Sequence, residues 1–374
     1  MTGGELTMSA DTDASEALSL RDQALAALDG GAPSAALGIA RQGLAVLEAG
    51  GLRGGADEAA LLVALAEIEE GLGRYGEAGV TIAAAVGMLQ DVLEQDDNLI
   101  LWCQAQERLA GLERLAGDFA AAEARLGAVL ERASAEFGEV SLAVVSAANA
   151  LGVVCKYASD FDGAEAAYRR AAGAAAGLTD ADPLLEAGLL IEAGLLHNLG
   201  GLAHARGDAA AGIPLAERGA ALRAEALGPD HPDVARDLNA LGALYHLAGR
   251  LGDAARAYRQ ALAVFEGRYG PDHFEVAMTC ANLAVLHGDQ GDFAQAESLG
   301  RRSLRILTAV LGPRDAEVGL TLLNLAAAVA GQHRKAEAAA LTDRAAEILA
   351  ARLPPGHPQL LAAAEAVARY GPPT

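Results

Sequence analysis

Histidine is the residue type in this sequence with the widest chemistry, because imidazole transfers protons near neutral pH and binds divalent metals. The chain holds eight histidines. Three of them, His231, His273 and His357, recur at intervals of 42 and 84 residues, and Asp315 takes the corresponding place in another copy. A residue that recurs with a repeating unit is a structural part of that unit. We therefore predict that these three histidines have a local role at a turn or a helix start, where they either satisfy unpaired N–H groups or stack on the next proline.

Four further histidines lie in helical apolar patterns: His197, His204, His246 and His287. His204 and His246 are 42 residues apart, so they occupy equivalent places in neighbouring units, on helices roughly 10 Å apart. A metal site would also need carboxylate or thiolate neighbours, and the spacing places none beside them. We expect His197, His204 and His246 to line a groove. A catalytic pocket in their neighbourhood stays open as an alternative.

Other signatures of catalysis are missing from the sequence. It contains no G-x-x-x-x-G-K-[ST], H-E-x-x-H or G-x-S-x-G motif. Its cysteines, Cys103, Cys155 and Cys280, form no CxxC or CxxH pair, so they predict neither a disulfide framework nor a zinc site. We predict no cofactor and no metal, and the three thiols are interpreted as small core residues.

The elements that position these side chains recur every 42 residues. The motif Gly-Pro-Asp-His-Pro at 228–232 returns as Gly-Pro-Asp-His-Phe at 270–274, and in altered form at 312–316 and 354–358. Between two copies, residues 233–268 hold two runs with apolar residues three and four apart, which is typical of two helices. Gly249 lies between the runs, where it suits a helix end. A fixed period of this length predicts an array of stacked units.

Residues at fixed offsets in this unit resemble the tetratricopeptide repeat, and the 42-residue period resembles the kinesin-light-chain-like class. The residues that carry the resemblance are Leu241-Gly242, Tyr245, Gly249, Ala254, Tyr258 and Ala261. The leucine recurs at Leu65, Leu109, Leu151, Leu199, Leu241, Leu283 and Leu325. The resemblance implies an all-α, right-handed superhelical solenoid of antiparallel helix pairs with a C-terminal capping helix. It also implies that the first helix of each pair faces the concave groove.

The repeated leucine divides the chain into segments. We expect a disordered tail at 1–13, a degenerate first repeat at 14–48, seven units over 57–353, a capping helix at 358–370 and a short tail at 371–374. The seven units are expected at about 57–94, 99–136, 141–177, 184–227, 231–269, 273–311 and 315–353. Two places interrupt the period: a glycine-rich joint at 50–55, and six extra residues around 179–183.

An asparagine series is the best candidate for binding. Asn198, Asn282 and Asn324 share one offset from the repeated leucine, and Asn149 and Asn239 lie one residue earlier. The resemblance implies that asparagines at this offset bind the backbone of an extended peptide. An amide has both donors and an acceptor, so it can pair with any peptide unit. The alternative is that these residues only tie adjacent helices together.

The family also includes a subset that clamps a C-terminal carboxylate with lysine or arginine on neighbouring first helices. The corresponding positions here are Gly194, Arg236, Met278 and Leu320, of which only Arg236 fits. We therefore expect a groove of mixed polar and apolar character, suited to an internal peptide segment or a helix, with Arg236 as one of its lining residues.

Charge limits the class of partner. The net charge is −22, and residues 1–137 hold 23 acidic and 8 basic side chains. This distribution argues against nucleic acid and anionic membrane as ligands. It indicates either a role in solubility or a docking surface for a basic protein. No run of 18 uncharged apolar residues and no leader-like N-terminus occurs, so we expect a soluble cytoplasmic protein. The Ala, Gly and Arg bias suggests a bacterial source.

Three functions remain open from the sequence. The first is a non-enzymatic scaffold or adaptor that holds a protein or peptide in the concave groove. The second is a sensor array whose curvature responds to a peptide or small molecule, with 50–55 and 179–183 as hinges. The third is a biosynthetic enzyme with a pocket in the groove.

Overall fold

The structure is a computed structural model that describes residues 3–90, 96–178, 185–353 and 358–370. These residues form seventeen α-helices and no strand. The chain divides into two compact units, one before and one after the boundary between residues 181 and 182. The first unit contains α1 (Gly3–Asp29), α2 (Pro33–Ala49), α3 (Ala56–Gly71), α4 (Tyr75–Gln90), α5 (Asp96–Leu115), α6 (Phe119–Phe137), α7 (Leu142–Tyr157) and α8 (Phe161–Leu178).

The second unit contains nine helices within the described residues. They are α9 (Leu185–Ala205), α10 (Ala209–Leu227), α11 (Pro232–Leu247), α12 (Leu251–Tyr269), α13 (Phe274–Asp289), α14 (Phe293–Leu311), α15 (Ala316–Gly331), α16 (Lys335–Arg352) and α17 (Pro358–Tyr370).

Within each unit the helices pack as successive pairs. In the first unit α1 packs on α2, α3 on α4, α5 on α6 and α7 on α8. In the second unit the pairs run from α9–α10 to α15–α16, and α17 packs on α16. The first helices of neighbouring pairs also touch one another, as α9 and α11 do. The prediction of an all-α array of helix pairs is therefore confirmed.

A missing side chain lets the two helices of a pair approach closely. Gly242, from the Leu-Gly motif on α11, lies under the ring of Tyr258 on α12, and a Cβ at that glycine would be 2.6 Å from the ring. Gly152 and Tyr168 repeat the contact in the α7–α8 pair, where a Cβ would be 2.5 Å from the ring. Both tyrosine side chains are buried. Glycine and tyrosine at these offsets thus form one packing unit.

A residue in the left-handed backbone conformation follows the first helix of each pair. Gly249 has φ of +71°, a conformation that glycine adopts without the Cβ penalty. Ser159 and His333 occupy the same offset in two other pairs, and they adopt φ of 65° and 66°. The turn geometry therefore persists even where the sequence departs from glycine.

The recurring histidines act at helix starts, as predicted. His231 and His273 are the N-cap residues of α11 and α13, and the Nδ1 atom of each accepts a hydrogen bond, 3.2 Å long, from the backbone N–H two residues later. Asp315 does the same for α15 through its carboxylate, with a 2.9 Å bond from Glu317. His357 lies outside the described residues.

The N-terminus differs from our expectation. We expect a disordered tail over residues 1–13, but α1 begins at Gly3 and continues to Asp29 as one helix. The physical reason is that residues 5–29 contain no proline or glycine to interrupt the helix. Residues 1–2, the insertion around 179–183 and the tail at 371–374 lie outside the described residues.

The glycine-rich joint at 50–55 connects α2 to α3 and is bridged by side chains. Arg53 pairs with Glu48 at 3.4 Å and with Glu58 at 2.9 Å. Glu58 also accepts a hydrogen bond from the backbone N–H of Gly54. Across the part of the chain that the structure describes, no helix combines the length and apolar character needed to cross a membrane.

We predict that Gly242→Ala destabilises the array by about 1–3 kcal/mol, because the new Cβ overlaps the Tyr258 ring. The matched control is Gly267→Ala on α12, where a Cβ would meet no atom within 4 Å. Removing a helical glycine there should be neutral or stabilising by up to about 1 kcal/mol. Urea denaturation followed by circular dichroism would measure both, and equal shifts of the two midpoints would contradict the packing argument.

A second prediction concerns His273, whose burial lowers the pKa of its imidazole below the usual 6.5. The folded protein therefore binds fewer protons than the unfolded chain, and the stabilising contribution present above pH 6.5 is lost as the pH falls. His273→Asn keeps a capping acceptor without a titrating group. We expect this variant to lose less stability than the parent between pH 7 and pH 5. His273→Ala should lose about 1 kcal/mol at pH 7. Thermal melts across this pH range would test both, and parallel profiles for the parent and His273→Asn would argue against it.

Candidate functional site

The candidate groove residues lie on first helices, as the repeat predicts. Their helices are α9 for His197, Asn198 and His204, α11 for Arg236, Asn239 and His246, α13 for Asn282 and α15 for Asn324. We call these eight residues the second-unit face. Asn149 lies on α7, in the first compact unit. Asn149 and Asn198 are half-buried, and His204 is exposed.

A buried carboxylate organises one end of this face. The side chain of Asp237 on α11 is 3% exposed and accepts two charged or polar donors. His197 on α9 donates from Nδ1 at 2.7 Å, and Arg223 on α10 donates from Nε at 2.7 Å. Asp237 thereby joins three helices. Because Nδ1 carries the bond to Asp237, the neutral imidazole keeps Nε2 as its acceptor.

Other residues of the face also bond to the next first helix. Arg236 donates to Glu275 at 2.8 Å and also pairs with Asp233. His246 lies 2.8 Å from a carboxylate oxygen of Asp289. Through these acidic partners, side chains of the second-unit face connect neighbouring first helices.

The asparagine series includes one such tie. Asn282 Nδ2 donates to Asn239 Oδ1 at 3.2 Å, which joins α13 to α11. This bond occupies one donor of Asn282 and one lone pair of Asn239, whereas each amide has two donors and an acceptor. Asn239 and Asn282 therefore connect adjacent helices, as the alternative interpretation of the series expects. The two amides have further donors and lone pairs that this bond does not use.

Asn324 borders a cavity of about 430 Å³, which we call the Asn324 cavity. Its walls come from α13, α14, α15 and α17, and they consist mostly of alanine and glycine. The lining residues are Ala284, Val285, Gly288, Asp289, Phe293, Asn324, Ala327, Ala328, Ala330, Gly331 and Tyr370. The space is of a size that accepts one or two apolar side chains.

A larger cavity, of about 720 Å³, lies in the first unit between α1, α3 and α5. We call it the first-unit cavity. Glu107 and Arg108 contribute to its wall, and they precede Leu109 by two and one residues. These are the offsets of His197 and Asn198 from Leu199. Our sequence reasoning missed this pair, although the repeated leucine already placed both residues on the groove-facing side.

The charges of this cavity are unequally compensated. Arg108 pairs with Glu67 at 2.8 Å and with Glu70 at 2.9 Å. Glu107 instead accepts a 2.5 Å hydrogen bond from the hydroxyl of Ser146 on α7. Burial raises the pKa of Glu107 to about 7, against the opposing effect of the Ser146 bond.

A third cluster has the residue composition of a metal site, but its side chains have local structural roles. Ligand atoms of Glu123, Cys155 and Asp160 lie within 4.8 Å of one another. Burial raises the pKa of the Cys155 thiol to about 11, so it is protonated at neutral pH. Asp160 accepts from the backbone N–H of Gly163 and thus acts at a helix start. We assign no ligand to this cluster.

Comparison with solved structures finds related arrays. The crystal structure of BtubC (BKLC) from P. vanneervenii is similar with 25% identity and a TM-score of 0.50, over 61% of this chain and 90% of that chain. The apo form of RapI is similar in fold, with 12% identity and a TM-score of 0.53, over 83% of this chain and 86% of that one. A set of nearly identical TPR-like repeats from a kinesin light chain candidate of Podosopora anserina has 22% identity and a TM-score of 0.40, over 47% and 83% of the two chains.

No curated protein matches the chain in sequence. The tetratricopeptide repeat family matches residues 101–175, 192–267, 257–309 and 274–351, which together make up more than half of the chain. The helix pairs, the small residue after each repeated leucine and the left-handed turn agree with that match. The chain therefore belongs to the tetratricopeptide repeat family.

Proposed function

We propose that the protein is a scaffold or adaptor that binds an extended protein segment along the second-unit face. The observation that carries this proposal is the Asn324 cavity, whose wall includes Asp289, the partner of His246, together with the bonded amides of Asn239 and Asn282 on the preceding first helices. The amides of Asn282 and Asn324 bond to the peptide backbone, and the cavity takes an apolar side chain of the ligand. Protein binding is the general role that membership of the repeat family supports.

The chemistry of Arg236 favours an internal segment over a free C-terminus. Its guanidinium already pairs with Glu275 and Asp233. A carboxylate ligand would have to displace these two acids, and it would meet the further carboxylate of Asp289 near His246. The groove therefore selects a segment without a terminal carboxylate.

The enzymatic alternative depends on His197, because a carboxylate-held imidazole is the arrangement of a general base. Asp237 also accepts a hydrogen bond from Arg223, so its carboxylate is shared between the imidazole and a guanidinium instead of orienting the imidazole alone. We therefore favour binding over catalysis. The sensor alternative, the cytoplasmic location and the bacterial source stay predictions from the sequence.

We predict that filling the Asn324 cavity abolishes peptide binding. The probe is a set of peptides selected against the purified chain from a random display library, with affinities measured by fluorescence anisotropy. Ala327→Phe places a ring in the cavity from an exposed position. Asn324→Ala removes the amide at its edge. Each should weaken binding by at least about ten-fold, equivalent to about 1.4 kcal/mol.

The matched control is Ala340→Phe, which adds the same ring at an exposed position of α16 away from the cavity lining. This variant should bind like the parent. Unchanged affinity in both Ala327→Phe and Asn324→Ala would place the peptide site elsewhere on the chain.

A further inference from the structure

In the first-unit cavity, one carboxyl group has no basic side chain as its partner within the described residues. Arg108 is shared between Glu67 and Glu70, and Arg21 pairs with Asp22 at 2.8 Å. Within the residues that the structure describes, the hydrogen-bond partner of the Glu107 carboxyl is the neutral Ser146 hydroxyl, and no basic side chain pairs with it. Glu107 is half-buried and Ser146 is exposed, so the carboxylate is only partly removed from water, and a cation beside it would offset that desolvation.

The rest of the wall suits the stem of a long side chain. Leu25 from α1, Val63 from α3 and Leu101 from α5 line the cavity together with Ala60 and Ala64. Lysine and arginine side chains bury their methylene stems on such surfaces while their charged ends bond to acids. The cavity, at about 720 Å³, has room for one of these side chains and the backbone that carries it.

The charge of the surrounding chain indicates the same kind of ligand. Residues 1–137 contain 23 acidic and 8 basic side chains. A long-range field of this sign attracts basic segments and repels acidic ones.

We propose that the first-unit cavity binds a lysine or arginine side chain of a basic partner segment, with the cationic group against Glu107 and the stem against Leu25, Val63 and Leu101. The site is separate from the second-unit face, because all of its residues belong to the first compact unit. Binding of the cation requires the ionised carboxylate of Glu107, so ligand binding releases the proton that burial holds there.

The surroundings of Glu107 contain several other charged or polar groups. They are Arg21 from α1, Glu67 and Glu70 from α3, Cys103 and Arg108 on α5, and Ser146 from α7. Burial raises the pKa of the Cys103 thiol to about 11, which keeps it neutral between pH 6 and pH 8. Glu107, with its pKa of about 7, is therefore the group whose protonation changes in this range.

The test uses the full chain and fluorescent nine-residue peptides with a fixed alanine–serine host sequence. The central residue is lysine, arginine, N-acetyl-lysine or glutamate, and spermidine serves as a free amine. We expect the lysine and arginine peptides to bind at least about ten-fold more tightly than the other two. Their affinity should rise by about ten-fold from pH 6 to pH 8, since the ionised fraction of a group with a pKa near 7 rises by that factor.

Three variants separate the site from general charge attraction. Glu107→Gln keeps the size of the side chain and should weaken the lysine peptide by at least about ten-fold and remove its pH dependence. Gly111→Leu fills the cavity from a wall position where a Cβ would meet no atom within 4 Å, and it should block binding without loss of helicity. Glu123→Gln removes the same charge at an exposed site of α6, and it should bind like the parent.

The outcomes that overturn the proposal are distinct from those that concern the second-unit face. Equal binding of the lysine and N-acetyl-lysine peptides, or full affinity in Glu107→Gln, would contradict it. If spermidine binds and neither cationic peptide does, the ligand is a free amine and not a peptide side chain, which also contradicts the proposal. Ala327→Phe should leave the lysine peptide unaffected, so failure of one site does not imply failure of the other.

Discussion

The fold depends on the close approach of two helices at one small residue in every repeat. The residue after each repeated leucine is alanine or glycine, and it is buried in all seven units: Ala66, Ala110, Gly152, Gly200, Gly242, Ala284 and Ala326. The facing residue of the second helix varies in size. It is tyrosine opposite Gly152 and Gly242, but alanine (Ala216) opposite Gly200 and glycine (Gly300) opposite Ala284. The small residue on the first helix is therefore the constant feature of the contact, and it lets the two helices pack closely.

This packing directs the first helices to a common face, where polar side chains have two uses. Asp237, Glu275 and Asp289 bond to His197, Arg236 and His246 across neighbouring helices, so these polar side chains help to hold the second unit together. Such ties keep the amides and imidazoles in register along the array. For the peptide ligand that we propose, side chains that are already ordered would reduce the entropy lost on binding.

The two units differ in the partners of their acidic side chains. In the second unit the buried Asp237 has both an arginine and a histidine as partners. In the first unit Arg108 pairs with two glutamates, and among the described residues the partner of the half-buried Glu107 is a hydroxyl. An acid that is partly removed from water without a cation shifts its pKa instead of gaining a salt bridge. This difference is the basis of the two proposals, a cationic side chain in the first-unit cavity and a peptide backbone on the second-unit face.

Local and periodic features follow from the sequence alone. The repeated leucine predicts the helix pairs, the apolar faces and the groove-facing offsets. The capping role of His231 and His273 follows from their recurrence, since the first N–H groups of any helix need acceptors nearby. The helical extent of residues 3–13 was not predicted, because a short segment without apolar periodicity has no strong local signal for helix or coil.

Only the tertiary structure decides which side chains meet. Sequence offsets placed Asn239 and Asn282 on one face, but the hydrogen bond between them depends on the distance between α11 and α13. Asp237 stands in an apolar register of its helix, between Val234 and Leu241, and that irregularity was the available signal of a buried charge. The period of 42 residues thus determines which positions share a face of the first helices. The pairing of charges there, and the hydroxyl partner of Glu107 among the described residues, arise from contacts between helices about 40 residues apart in sequence, which no local pattern encodes.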